Sequence, residues 1–233
     1  LSLDAPTTEI PKTEIPKTEI PKTEIPKTDA LVADSLNTGT PHTGTLHTDD
    51  PHVHLLFDLD DGSQLRFRDT RKFGRLWLVE NASTVIHALG PEPWDVDFTP
   101  HAFGAVLAGR RAPIKALLLD QRIVAGVGNI YADESLWQAR VLPMRAAGSL
   151  TDEEVERLHA AIRTVLERAI ARGGSSLGDG STNYVAPSGA QGAFQEEFAV
   201  FQRTAKPCLR CGAPILRTVV AQRGTHFCGV CQE

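Results

Sequence analysis

The chain has 233 residues, with 24 Lys and Arg against 29 Asp and Glu for a net charge of −5. That length suits one large or two small domains, and no apolar run approaches the roughly 20 residues of a membrane span, which sets membrane proteins aside. The charge is uneven: residues 1–50 hold four Lys and nine acids, whereas residues 51–233 hold twenty basic and twenty acidic side chains, so an anion-binding face must come from clustering.

Thr8 to Lys27 repeats Thr-Glu-Ile-Pro-Lys four times. A proline every fifth residue forbids a helix and interrupts a strand ladder, and one Ile per repeat cannot build a core. Residues 1–50 therefore read as an extended, solvated segment, either a tail without function or a docking repeat for a partner. Beginning at Leu1, the sequence also reads as a fragment.

Order is expected from Pro51. His52 to Leu59 and Gln64 to Arg68 are strand candidates around Asp60-Asp61-Gly62, a hairpin pattern. Asp69 to Arg75 follows, and then Leu76 to Val79 as a third, apolar strand. Arg66, Arg68, Arg71, Lys72 and Arg75 surround Phe73. Basic residues around a lone aromatic can grip a phosphate backbone and wedge between bases; an edge strand with one buried Phe fits the composition as well.

Helical patterns dominate from Thr99 to Arg172. Ala102 to Ala108 and Ile114 to Leu119 are short apolar candidates. Gly126 and Gly128 then break the pattern before Asn129 opens a helix whose unpaired N–H groups favour an anion. Thr151-Asp152-Glu153-Glu154 is a capping box, followed at three-and-four spacing by Val155, Leu158, Ile162, Val165 and Ala169, the signature of an amphipathic structural helix. It should stop at Gly173-Gly174, and Ser175 to Gln191, rich in Ser and Gly, reads as a mobile loop.

Cys208, Cys211, Cys228 and Cys231 are the only cysteines. Two Cys-x-x-Cys pairs at this separation match the spacing by which four thiolates reach one zinc ion. Two disulfides would need an oxidising compartment, and no leader with a basic flank and an apolar core precedes the body. The expected cofactor is one structural Zn2+, closed to substrate because four thiolates fill its coordination. Ile215 to Val220 and Thr225 to Cys228 form a hairpin around the turn candidate Gln222-Arg223-Gly224, placing Arg223 at or near its tip. From Phe201 onward five basic residues stand against Glu233 alone, a balance suited to phosphate.

From Pro51 onward the sequence resembles the formamidopyrimidine-DNA glycosylase and endonuclease VIII family, its formamidopyrimidine branch above all. The resemblance lies in Asp69-Thr70-Arg71-Lys72-Phe73-Gly74, in Leu89-Gly90-Pro91-Glu92-Pro93, in Ile114-Lys115 through Asp120-Gln121 to Gly126-Val127-Gly128-Asn129-Ile130-Tyr131-Ala132, and in Gln222-Arg223-Gly224-Thr225 within the cysteine frame. It implies an α+β fold with a partial β-sandwich domain, a helix-two-turn-helix domain and a C-terminal zinc-finger hairpin. The corresponding divisions are 51–94, 95–190 and 191–233. It implies a monomeric bacterial enzyme of the cytoplasm and nucleoid acting on damaged double-stranded DNA, excising oxidised purines and cleaving the resulting apurinic site.

By the family pattern, Arg71 would reach the base opposite the lesion, Phe73 would wedge into the stack, and His52, Arg110, Lys115 and Asn129 would hold the backbone. Arg223 would contact the lesion phosphate and donate a proton in strand cleavage, and Ser175 to Gln191 would close over the extruded base. The family's N-terminal proline nucleophile, its neighbouring glutamate and its hairpin lysine have no counterpart among the 233 residues. A DNA-binding module without chemistry therefore stands as the alternative.

Overall fold

The computed structural model describes residues 50–177 and 192–233. The repeat segment, and all of the expected loop over the base except Ser175 to Leu177, lie outside them. The protein divides into two compact units, Leu1–Arg75 and Leu76–Glu233.

In the first unit, β1 (Val53–Asp58) and β2 (Gln64–Arg68) form an antiparallel hairpin, with Leu56 facing Arg66 and an irregularity between Val53 and Leu55. Gly62 closes its turn at a positive φ that a side chain would resist. The Asp69 carboxylate then accepts the backbone N–H groups of Arg71 and Gly74, curling residues 69–74 into a tight loop. A Cβ at Gly74 would lie 2.5 Å from the Phe67 ring and 2.9 Å from Asp69 Oδ2, so a side chain there would have to displace them.

The second unit starts without the apolar strand expected there. Leu76 to Val79 is not a strand, and its four side chains are exposed. A strand needs a neighbour to take its N–H and C=O groups, and no described segment runs beside this one. After the single turn α1 (Ser83–Ile86), Leu89-Gly90-Pro91 packs onto the later glycine loop: the Gly90 N–H donates to the Gln121 carbonyl, and that of Ala125 to Pro91.

The helical body comprises α2 (Pro100–Leu107), α3 (Ile114–Leu118), α4 (Asn129–Ala139) and α5 (Asp152–Ala171). Thr99 caps α2 through its side chain, with Pro100 at the position where a missing N–H costs nothing. Residues expected on the apolar face of α5 are all buried: Val155, Leu158, Ile162, Val165 and Ala169. Val155, Leu158 and Ile162 pack with Phe103, Leu107, Ile114, Leu118, Val124 and Leu136 in one core, and Val165 and Ala169 pack with Phe194, Phe198 and Phe201 in a second. Beyond α5, Phe194, Phe198 and Phe201 stack edge to face, their centroids 5.7 and 5.5 Å apart, and carry the chain toward the cysteines.

The C-terminal hairpin pairs β3 (Leu216–Val220) with β4 (Arg223–Phe227). Its turn is the two residues Ala221 and Gln222, both at positive φ, one step before the expected turn. Arg223 is thus the first residue of β4 opposite Val220, so its backbone is fixed by pairing. Two consecutive left-handed residues match the twist of a short hairpin, and that geometric demand overrides the usual preference for Asn or Gly.

The capping box of α5 forms as read, with Thr151 accepting the Glu154 N–H while Glu154 accepts that of Thr151. The Arg145 guanidinium grips the same carboxylate and holds Glu154 below its ordinary value of 4.5. A lowered folded pKa gives stability that is complete above 4.5 and lost as pH falls through the folded value. Thr151→Ala should cost about 1 kcal/mol at neutral pH. Arg145→Met should flatten the acid limb of the stability profile, as measured by urea denaturation between neutral pH and pH of about 3.

Candidate nucleic-acid interface and metal centre

In the first unit, Arg71 and Phe73 lie together, with the guanidinium 5.9 Å from the ring centroid. Phe73 is 78% exposed, which removes the alternative of a buried edge-strand Phe and leaves a projecting aromatic beside a cation. His52 is half-buried, and its backbone N–H donates to Asp50.

The second unit gathers Lys115, Asn129 and Arg223 at one place, the meeting of α3, the α4 N-terminus and the hairpin tip. Gln121 shapes the approach to α4: its amide donates to the Val127 carbonyl at 3.0 Å and its oxygen accepts the Gly126 N–H at 2.8 Å. Gly126, at φ +84°, is the residue that permits this bend. Gly128 caps α4 without a side-chain acceptor, so the first amides of the helix stay available to an anion. Asn129 Nδ2 reaches the Gly224 carbonyl at 3.1 Å, tying that helix end to β4. Arg223 is exposed there, and the Arg217 guanidinium packs on Gly224, 3.2 Å from where a Cβ would sit.

Lys115, expected at the phosphate backbone, lies inside the protein. It is fully buried, and its ammonium is spent on Asp133 Oδ1 at 2.6 Å, Thr225 Oγ1 at 2.8 Å and the Gly224 carbonyl at 3.0 Å. Two of its donors meet Thr225 and Gly224 and its charge is paired with Asp133, all inside an enclosed site. A compact ammonium suits this three-way site, and a planar guanidinium would not. Burial lowers the Lys115 pKa and raises that of Asp133, while each partner's charge opposes the shift.

Arg110 is exposed near the Asp120–Arg122 pair, its Nε donating to the Val106 carbonyl at 2.7 Å. The Arg122 guanidinium holds the Asp120 carboxyl at about 2.

Two carboxylates that the sequence reading passed over sit side by side on α4. Asp133 holds Lys115 and also accepts the His226 N–H at 2.9 Å. Glu134 accepts three successive backbone N–H groups, from Ala199, Val200 and Phe201, at 2.9, 3.0 and 2.8 Å. Burial raises the Glu134 pKa, and those three N–H groups pull against it. The available signal was position: both acids lie between Ala132 and Leu136, on a helix with an apolar side that a solvated acid would avoid. A cleft of about 310 Å³ opens near Ser176, Gln195, Phe198, Phe201, Arg203 and Lys206.

The four cysteine sulfurs lie within 4.8 Å of one another, with Cys208 and Cys231 at 4.0 Å and Cys211 and Cys228 at 3.5 Å. A tetrahedral zinc with Zn–S of about 2.3 Å sets sulfurs about 3.8 Å apart, whereas a disulfide needs about 2.05 Å. The donor set therefore fits zinc. Burial opposes ionisation of Cys208, but N–H groups of Arg210 and the Trp137 indole outweigh it and bring the thiol to about 6. Burial and neighbouring thiols push Cys231 up to about 12, a repulsion that a divalent cation relieves.

Residues 89–181 match the formamidopyrimidine-DNA glycosylase H2TH domain, and residues 205–233 match the zinc finger found in FPG and IleRS. The protein is 52% identical over 186 residues to the formamidopyrimidine-DNA glycosylase of Chloroflexus aggregans, covering 79% of this chain and 66% of the relative. It is 48% identical to that of a Roseiflexus species, covering 79% and 67%. Among solved structures, MutM (FPG) of Thermus thermophilus superposes with a TM-score of 0.74 at 47% identity, covering 79% of this chain and 70% of that one. Lactococcus lactis Fpg bound to DNA containing an abasic site superposes with a TM-score of 0.70 at 35% identity, covering 89% and 73%. The chain spans about two thirds of the length of the first two curated relatives.

Glu134→Gln keeps the shape but points an amide N–H at backbone N–H groups. It should cost about 2–3 kcal/mol, read as a lowered denaturation midpoint with unchanged denaturant dependence.

Proposed function

Because the chain belongs to the formamidopyrimidine-DNA glycosylase family, we propose that it acts in base-excision DNA repair, as a monomer on damaged double-stranded DNA. The activity is that of a DNA glycosylase for oxidised purines, formamidopyrimidine and 8-oxoguanine, coupled to apurinic/apyrimidinic lyase chemistry. Residues 51–94 contribute the remnant of a β-sandwich catalytic domain, 95–190 the helix-two-turn-helix domain and 191–233 the zinc finger.

The observation that carries this reading is the exposed Arg223 on a rigid hairpin, beside Asn129 and an uncapped helix N-terminus. A guanidinium, an amide and free backbone N–H groups converging on one surface fit a phosphate, and Arg110 adds a second cation. The projecting Phe73 with Arg71 fits the need to fill the gap that a flipped nucleotide leaves. In this reading Arg223 fixes the phosphate next to the lesion and donates a proton during strand cleavage. Lys115 leaves the group of phosphate contacts, because its ammonium is enclosed.

One zinc ion, held by Cys208, Cys211, Cys228 and Cys231, is structural in this proposal. Four thiolates saturate a tetrahedral ion and leave no position for substrate. Its task is to close the base of the hairpin that presents Arg223. Elemental analysis of protein purified under reducing conditions should find about one zinc per chain, and Cys211→Ser should lower it toward none with loss of hairpin order.

The direct test of function is binding to duplexes carrying one abasic site or one oxidised guanine. Affinity should fall steeply with salt, and Arg110→Ala or Arg223→Ala should each reduce the log–log slope by about one. A complex indifferent to ionic strength would overturn the reading. Borohydride trapping on the same oxidised-guanine duplex checks the chemistry. The 233-residue chain alone should give little covalent complex, and addition of a family-type amino-terminal segment beginning with proline and glutamate should raise it.

A further inference from the structure

Arg223 is useful only if it is held still. The residues that do this can be traced inward from its backbone. The Arg223 carbonyl accepts a hydrogen bond from Thr225 Oγ1 at 3.0 Å. Thr225 is fully buried, and its hydroxyl oxygen accepts in turn from Lys115 Nζ at 2.8 Å. Lys115 also donates to the next carbonyl, Gly224, which receives Asn129 Nδ2 as a second donor. The ammonium is anchored at Asp133, whose other oxygen accepts the His226 N–H. Every backbone position from 223 to 226 thus has a group tied into one buried cluster, and the cluster ends on one carboxylate.

We propose that Asp133 is a positioning residue for Arg223, acting through a buried relay from its carboxylate to Lys115, from Lys115 to Thr225 and Gly224, and from Thr225 to the Arg223 carbonyl. This rests on the reading above in which Arg223 meets a phosphate. Three features favour positioning over simple stability. A buried ion pair is a poor source of stability, since well-packed apolar residues of similar volume commonly do as well or better. The acceptors of Lys115 lie on two separate elements, α4 and β4, so the ammonium fixes the distance between them. Asn129 and Asp133 stand four residues apart on α4, hence on one face, and that face bears both the anion-favouring helix end and the anchor of the hairpin tip. The relay thereby sets Arg223 at a defined height beside the α4 N-terminus, and errors on the order of 1 Å in such a grip are expensive.

The test uses the full chain with Asp133→Asn, made alone and together with Arg223→Ala. For a duplex containing one abasic site, Asp133→Asn should weaken binding about tenfold and reduce the salt slope by about one, with zinc content unchanged. In the Arg223→Ala background it should add little, because the residue it positions is already gone. Equal weakening in both backgrounds would overturn the proposal, since Asp133 would then act independently of Arg223. Amide hydrogen exchange supplies a readout that needs no DNA: protection should fall at Arg223 and Thr225, whose N–H groups face β3, and persist at Leu216 and Thr218. Unchanged protection at Arg223 and Thr225 would also overturn it. If Asp133→Asn does not fold, the apolar pair Asp133→Leu with Lys115→Met replaces it and should show the same loss of affinity and protection; binding like the parent protein would sink the relay. Should the parent and Arg223→Ala bind DNA alike, the phosphate reading of Arg223 falls, while the exchange result still decides the relay.

Discussion

Two carboxyl side chains buried in the interior, Asp133 and Glu134 on α4, constrain how the C-terminal segment docks. Removing a carboxylate from water costs several kcal/mol unless partners replace the lost hydration. Their partners come almost entirely from the C-terminal third of the protein: the backbone of residues 199–201 for Glu134, and His226 with the hairpin-bound Lys115 for Asp133. The helix cannot keep these acids buried unless the linker and hairpin dock on it. The docking of a small finger, which lacks a core of its own size, is thereby made specific as well as favourable.

The division of labour between the cysteine site and the helix follows. The four cysteine sulfurs gather at the base of the hairpin, where Ile215, Val200 and Trp137 pack around them. The Trp137 indole donates to Cys208 Sγ at 3.4 Å, and Arg210 stacks on the same indole at 4.2 Å, so the cysteine end also leans on α4. The opposite end of the hairpin, beyond the five residues of β3, lies away from the cysteines. There the Lys115 ammonium and Asn129 take over. A hairpin fixed at both ends against one helix can present a cation at a set position without a large core beneath it.

Much of this was legible in the sequence because it depends on neighbours a few residues apart. The capping box at Thr151 and Glu154, the apolar periodicity of α5, the hairpin of β1 and β2 and the four-cysteine frame each follow from local geometry, and each formed where its spacing placed it. Leu76 to Val79 shows the limit of the method. Its composition suits a strand, yet a strand is a relation between two segments, and composition does not supply the second.

The sequence by itself therefore determined the four-cysteine frame, the long helix with its cap, the two hairpins and the family resemblance, all carried by short-range spacing. Tertiary structure alone decided where the Lys115 ammonium sits. In sequence it is a cation among phosphate-suited residues, 109 positions from Gly224; in space it bonds the Gly224 carbonyl and is enclosed with Asp133 and Thr225. The same holds for the exact step of the hairpin turn, which places Arg223 in the β ladder and gives its backbone partners on both sides. Charge type is a property of the residue, but whether that charge faces solvent or a buried carboxylate depends on which distant elements pack against it, and no local pattern encodes that.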